Sequence, residues 1–192
     1  MDFLKKYDII LASQSPRRKE LLAGLNVDFR SIVIPDIDES FPDTLQGEEI
    51  PKYIASRKAQ AYESLLKEDT LVITADTIVL LNNQVYGKPE DTADAKRMLL
   101  DLSGKTHLVI TGVCLRTFTQ TVTFAVTTEV RFAPLDEAEI DFYISRYQPF
   151  DKAGAYGVQE WIGYVAVEHI EGSYFNIMGL PVQRLYQELK KF

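Results

Sequence analysis

The apolar run Ile9-Ile10-Leu11-Ala12 shows no alternation, which is the pattern of a strand buried on both faces, and it stops at Ser13-Gln14-Ser15-Pro16. Ser15 suits an N-cap and Pro16 the first helical position, so a helix is predicted from there to about Leu25, with Leu21 and Leu22 turned inward. Residues 29–34 read as a second strand, followed by the acidic loop Asp36-Ile37-Asp38-Glu39. Between positions 48 and 66, Ile50, Tyr53, Ile54, Tyr62, Leu65 and Leu66 recur at roughly helical spacing, which predicts one long helix with Pro51 in its first turn. Residues 71–75 form another buried-type strand that ends at Asp76-Thr77, with β structure resuming through Leu81 to a turn at Asn82-Asn83.

Gly87-Lys88-Pro89 reads as a loop before a helix capped near Thr92 and closed by Gly104. Residues 107–117 and 121–132 alternate threonines and valines around a short polar turn and predict a hairpin. A helix over 136–147, a glycine-punctuated loop over 151–160 and a strand over 164–170 follow, and Pro181 opens a last helix with Leu185 and Leu189 on one face. The chain opens on a strand-loop-helix unit and is β-rich in its middle. No repeat, low-complexity tract or separating linker interrupts it, so residues 1–192 are expected to form a single domain.

Composition narrows the function. Apolar residues make up 46% and charged residues 26% of the 192, with only 10 Gly and 8 Pro, as in a soluble globular chain. The net charge of −7 argues against a broad basic surface for nucleic acid or anionic membrane, so a polyanionic ligand must meet a local basic cluster or a metal. One cysteine, Cys114, cannot form an intramolecular disulfide, and with two histidines it is too few for a structural zinc site. The apolar run near the N-terminus is too short for a signal peptide, and no run approaches the roughly 20 residues of a membrane span. A cytoplasmic protein is expected.

Three groups of residues are candidates for chemistry. Ser13, Ser15, Arg17, Arg18 and Lys19 gather hydroxyls and cations at a predicted helix N-terminus, where free N–H groups favour an anion. Cations in a first turn oppose the helix dipole, and a bound phosphate would supply the reason for them; a solvated basic face is the plain alternative. Glu39 and Asp76 offer hard oxygens of the kind Mg²⁺ binds beside substrate phosphates, although each also suits a turn or a solvated loop. Lys58 follows Arg57 in a helix, and Lys88 sits in a tight loop. His107, His169, Tyr143, Tyr147 and Trp161 read as packing or surface residues, and no nucleophile elbow surrounds the serines.

The ordered series Leu11-Ala-Ser-Gln-Ser-Pro-Arg-Arg-Lys-Glu-Leu-Leu22, Asp38-Glu39, Arg57-Lys58-Ala59, Ala75-Asp76-Thr77-Ile78-Val79, Gly87-Lys88-Pro89, Leu102-Ser-Gly-Lys-Thr-His107, Thr111-Gly112-Val113, Asp151-Lys-Ala-Gly-Ala-Tyr-Gly-Val-Gln159 and Met178-Gly-Leu-Pro181 closely resembles the Maf family of nucleoside triphosphate pyrophosphatases over nearly the entire chain. The resemblance implies an α/β fold like the inosine triphosphate pyrophosphatases: an elongated twisted mixed β-sheet with flanking helices, two lobes around a cleft, and commonly a homodimer. It implies that Ser13, Ser15, Arg17 and Arg18 bind phosphate, that Glu39, Lys58, Asp76 and Lys88 are the catalytic polar residues, and that Asp76 is the proton acceptor. Arg17, Thr77 and Gln159 resemble the branch acting on dTTP and UTP. Two departures stand out: Asn26, where the family usually has Gly and where Asn tolerates a left-handed turn, and Glu160-Trp161, where smaller residues are commoner.

The expected reaction is hydrolysis to the nucleoside monophosphate and pyrophosphate by water attack at the α-phosphorus. Mg²⁺ or Mn²⁺ is expected on Asp76 and Glu39, with Arg18, Lys58 and Lys88 neutralising the leaving group. The competing reading is a non-catalytic nucleotide-binding regulator of cell division, which would bind a triphosphate without turning it over. Retention of every catalytic polar position favours the enzyme.

Overall fold

A computed structural model describes residues 4–192. Its strands are β1 (Asp8–Leu11), β2 (Arg30–Ser31), β3 (Thr70–Leu81), β4 (Gln84–Tyr86), β5 (Thr106–Arg116), β6 (Thr121–Phe132) and β7 (Val167–Glu171). The helices are α1 (Pro16–Ala23), α2 (Glu49–Gln60), α3 (Thr92–Leu102), α4 (Glu137–Tyr147), α5 (Trp161–Val165), α6 (Tyr174–Ile177) and α7 (Val182–Leu189). The strands make one seven-stranded sheet in the order β2-β1-β3-β5-β6-β7, with β4 on β3. It is mixed: β1 runs parallel to β2 and β3, whereas β4 is antiparallel to β3 and β7 to β6. The α/β expectation therefore holds. Among the described residues no helix is long and apolar enough to cross a membrane.

Contacts divide the chain into two compact units. One comprises the chain through Asp76, Thr111–Val126 and Gly179–Phe192, and the other Thr77–Ile110 and Thr127–Met178. In the first, Ile10 and Val72 of the parallel pair pack with Tyr62 under Ile32, Ile34 and Leu65. α2 lies close on the sheet because the facing residues are small: Ala55 and Ala59 meet Cys114, and a Cβ on Gly112 would overlap the Pro51 carbonyl. In the second unit, Leu99 and Leu102 of α3, Ile140, Tyr143 and Ile144 of α4, and Val109, Val130 and Phe132 share one core with Tyr156 and Ile162.

Several expected boundaries move. β2 is only two residues long and the long helix breaks after Gln60, continuing as a 3₁₀ turn over Glu63–Leu65. Tyr62 explains both: its hydroxyl donates to Ile32 O and accepts from Ile34 N–H, both at 3.0 Å, so a tertiary tie takes the polar groups a longer strand would have used. β3 does not stop at Asp76 but runs unbroken to Leu81. Tyr164 belongs to α5, and the strand there starts only at Val167. β4 and α6 were not anticipated. The turn at Asn82-Asn83 is as expected, with φ of 50° and 64°, and Asn26, at φ 52°, takes the left-handed conformation foreseen for it.

His107 on β5 is 1% exposed, and its Nε2 lies 2.8 Å from the Tyr156 hydroxyl. Burial pushes its pKa from the ordinary 6.5 down to about 4. The unfolded chain binds the proton first, so the neutral imidazole's contribution is complete above pH 6.5 and is lost as pH falls toward 4. Denaturant melts across that window should show His107→Gln losing about 3 kcal/mol less stability than the parent. Identical losses in the two proteins would show that His107 is not protonated on unfolding.

Candidate active site

β1 ends while its parallel neighbour continues, and the first part of the site grows from that mismatch. Ala12 N–H still reaches Ile73 O at 2.9 Å, but Ala75 O, the next carbonyl along that edge of β3, has no β1 residue opposite it. Arg18 takes the place of the missing strand, donating from Nη1 to Ala75 O at 2.9 Å and from Nε to Gly179 O at 2.8 Å. The intervening loop is ordered by its own hydroxyls: buried Ser13 Oγ accepts from Ser15 N–H at 3.2 Å, and Ser15 Oγ caps α1 by accepting from Arg18 N–H. Ser15 and Pro16 thus occupy the predicted cap positions, and no acidic residue lies in the first turn. Burial lowers the pKa of the Arg18 guanidinium, and the negative charge of Asp76 acts against that shift. Sequence reasoning placed Arg18 on phosphate and did not foresee its role in bracing the backbone. Arg17 is half-buried on the same helix.

The second part follows from the alternation of β3. Thr74 and Asp76 share a face of the strand, as Ala55 and Lys58 share a face of α2. The buried Thr74 hydroxyl donates to Ala55 O at 2.6 Å, and this tie brings the next residue pair together. Lys58 Nζ lies 2.7 Å from Asp76 Oδ1 and 2.9 Å from Glu39 Oε1. Asp76 is only 8% exposed, so its carboxylate sits away from water with an ammonium as partner, whereas Glu39 is exposed. Arg57 approaches Asp38 at 3.6 Å, and the Ser40 N–H bond holds the Asp38 carboxyl below the usual range.

These carboxylates allow a metal to be tested against the donors present. Among the described residues no group of three or more His, Cys, Asp or Glu is arranged to hold a metal ion alone. Two carboxylates drawn to one ammonium instead suit a hard cation that takes its remaining oxygens from a substrate and water. The donor set therefore fits Mg²⁺ or Mn²⁺ carried with a polyphosphate.

Thr77, Lys88 and Gln159 belong to the other unit. Lys88 is exposed on a loop that is anchored next door: Gly87 O accepts from Gly154 N–H at 3.0 Å. Gly154 has φ +68°, and a Cβ there would come within 2.9 Å of Val79, so both conformation and space require glycine. Gln159 is half-buried, and its Oε1 is buried with no hydrogen-bond partner. Tyr143, expected only to pack, stacks on Tyr147 at 5.1 Å and also donates its hydroxyl to Glu160. Lys152 was not singled out from its motif, yet it is 8% exposed and paired with Asp151 and Glu160. A lysine among small residues was the available signal.

The model of the family described as Maf-like protein matches residues 8–192. A Bacteroides fragilis protein named dTTP/UTP pyrophosphatase is 61% identical over 188 residues, 98% of this chain and 97% of that one. A Phocaeicola vulgatus protein of the same name is 59% identical over 191 residues, 100% of this chain and 99% of the relative. The structure of a HAM1 protein from Coxiella burnetii superposes with a TM-score of 0.54 at 16% identity, covering 97% of this chain and 100% of that one, a likeness of fold.

Removing the Arg18 side chain should act on stability as well as on ligand binding. Arg18→Ala deprives the Ala75 and Gly179 carbonyls of their donors and is expected to lower unfolding free energy by about 1–3 kcal/mol. Chemical denaturation of the ligand-free protein measures it, and an unchanged midpoint would refute the bracing role.

Proposed function

Since this chain belongs to the Maf family, we propose that it hydrolyses dTTP and UTP to the nucleoside monophosphate and pyrophosphate, by water attack at the α-phosphorus. The observation that carries the proposal is Lys58 Nζ held between Asp76 and Glu39, with Arg18 braced against the residue preceding Asp76. A lysine ammonium has three donors, and the two carboxylates use two of them. The third suits a phosphate oxygen. Ser13, Ser15, Arg17 and Arg18 receive the phosphates at the α1 N-terminus, where backbone N–H groups favour an anion. Asp76 orients the attacking water and accepts its proton, while Lys58, Arg18 and Lys88 stabilise the charge that gathers on the departing pyrophosphate. A divalent cation held by Glu39 and Asp76 would add charge neutralisation at the triphosphate oxygens.

The preference for keto pyrimidines rests in this reading on Gln159, whose buried Oε1 is an acceptor in want of a donor. Uracil and thymine present ring N3–H to such an acceptor and a carbonyl to the amide N–H, whereas cytosine presents an unprotonated N3 and an amine. Thr77 and Arg17 fix the nucleotide's orientation. A cytoplasmic homodimer completes the proposal; the 86% exposed Tyr164, with exposed Tyr174 and Phe175, supplies apolar surface in keeping with self-association.

Product analysis tests the reaction. With UTP and Mg²⁺ the products should be UMP and pyrophosphate, and exhaustive chelation should abolish their release. Formation of UDP and orthophosphate would refute the proposed cleavage.

Asp76→Asn keeps the side chain's size but loses its basicity, so kcat should fall by about two orders of magnitude or more while the fold persists. Steady-state kinetics alongside circular dichroism read both. Near-normal turnover would reduce Asp76 to a structural residue.

A further inference from the structure

Gln159 sits at the tip of a β-turn. Glu160 N–H bonds back to Gly157 O at 2.9 Å, so Val158 and Gln159 are its central residues. One hydroxyl touches both ends of that turn: Tyr143 Oη accepts from Gly157 N–H at 3.0 Å and donates to Glu160 Oε2. The other carboxylate oxygen of Glu160 lies 3.2 Å from Lys152 Nζ, which also bonds Asp151 at 2.7 Å. Tyr143 is fully buried, Lys152 is 8% exposed and Glu160 is half-buried, so the network has little water to compete with its members. Burial raises the Tyr143 pKa, with the Glu160 hydrogen bond adding to it, which keeps the phenol a donor. Gly157 leaves the room: a Cβ there would fall 2.8 Å from Glu160 Cδ and 3.1 Å from Gln159 Nε2.

We infer that Tyr143, Glu160 and Lys152 are positioning residues for base discrimination: the Tyr143 hydroxyl clamps both ends of the turn that presents Gln159, and Lys152 holds the Glu160 carboxylate in the clamp. The inference rests on the reading that Gln159 contacts the base. A side-chain amide distinguishes uracil from cytosine only if its donor and acceptor cannot exchange places. With the turn held at both ends, the backbone that carries the amide stays in one place, which favours one hydrogen-bond pattern toward a base. A loosened turn would let the amide rotate and accommodate either pattern. Glu160, one of the two departures from the family's usual sequence, then sharpens selectivity and takes no part in the chemistry.

The test compares kcat/KM for UTP and CTP in the parent, Tyr143→Phe, Glu160→Ala, Glu160→Gln and Gln159→Ala, with melting temperature recorded for each. Tyr143→Phe and Glu160→Ala should narrow the UTP/CTP ratio by roughly tenfold, the worth of one well-placed hydrogen bond. Glu160→Gln, which keeps an acceptor for the Tyr143 hydroxyl but turns an amide N–H toward Lys152 Nζ, should narrow the ratio less than Glu160→Ala. If Glu160→Ala does not fold, the nearly isosteric Tyr143→Phe carries the comparison. Equal losses for UTP and CTP in Tyr143→Phe, whatever the melting temperature, would overturn the inference and leave a purely structural network. A ratio that narrows in Gln159→Ala but not in Tyr143→Phe refutes the clamp alone. A ratio unchanged in Gln159→Ala refutes the base-reading role of Gln159 and the clamp with it.

Discussion

Lys58 bridges the two carboxylates at 2.7 and 2.9 Å, and the arrangement around Asp76 depends on it. A buried carboxylate without a partner is expensive, and breaking such a pair by removing one member typically costs about 3–5 kcal/mol. The ammonium reaches Asp76 only because α2 lies close on the sheet. The small residues Ala55, Ala59, Gly112 and Cys114 permit that approach, and the bond from Thr74 to Ala55 fixes the helix along the strand. Packing of small side chains therefore sets the electrostatics, since a bulkier residue at position 112 would lift the helix that carries the cation.

An acidic chain of net charge −7 can receive a polyanion if its cations are concentrated and fixed. Arg17, Arg18 and Lys19 stand in the first turns of α1 against the helix dipole, and part of the compensation for Arg18 is already in the fold. Where β1 stops and β3 continues, Arg18 fills the vacated hydrogen-bonding edge. The same guanidinium thus completes the sheet and adds positive charge beside Asp76. A cation placed before substrate arrives need not reorganise during the reaction, and such preorganisation is the main source of electrostatic catalysis.

Features governed by neighbours along the chain were legible in the sequence: the Ser15 cap, Pro16 at the first helical position, the buried run of β1, the left-handed Asn26 and the turn at Asn82-Asn83. Those governed by distant partners were not. Helical spacing from Glu49 onward could not show that Tyr62 turns away to bond Ile32 and Ile34, which ends α2 early and shortens β2. The Asp after Ala75 looked like the end of a strand because it is polar, yet Lys58 supplies the counter-charge that lets β3 continue through it. The residue types of the site were readable from their motifs, but that Lys58 joins Glu39 to Asp76 is a fact of tertiary packing. The Tyr143 clamp was hidden for the same reason, since an aromatic in an amphipathic helix reads as core until its hydroxyl finds a partner.

In the proposed reaction Asp76 directs water to the α-phosphorus of a nucleoside triphosphate, and hydrolysis of UTP in ¹⁸O-labelled water under single-turnover conditions, with mass spectrometry of both products, shows which phosphorus the water reaches. Attack at the α-phosphorus leaves one labelled oxygen in UMP and none in pyrophosphate. Label in the pyrophosphate, with UMP unlabelled, would place the attack at the β-phosphorus and refute the proposed reaction.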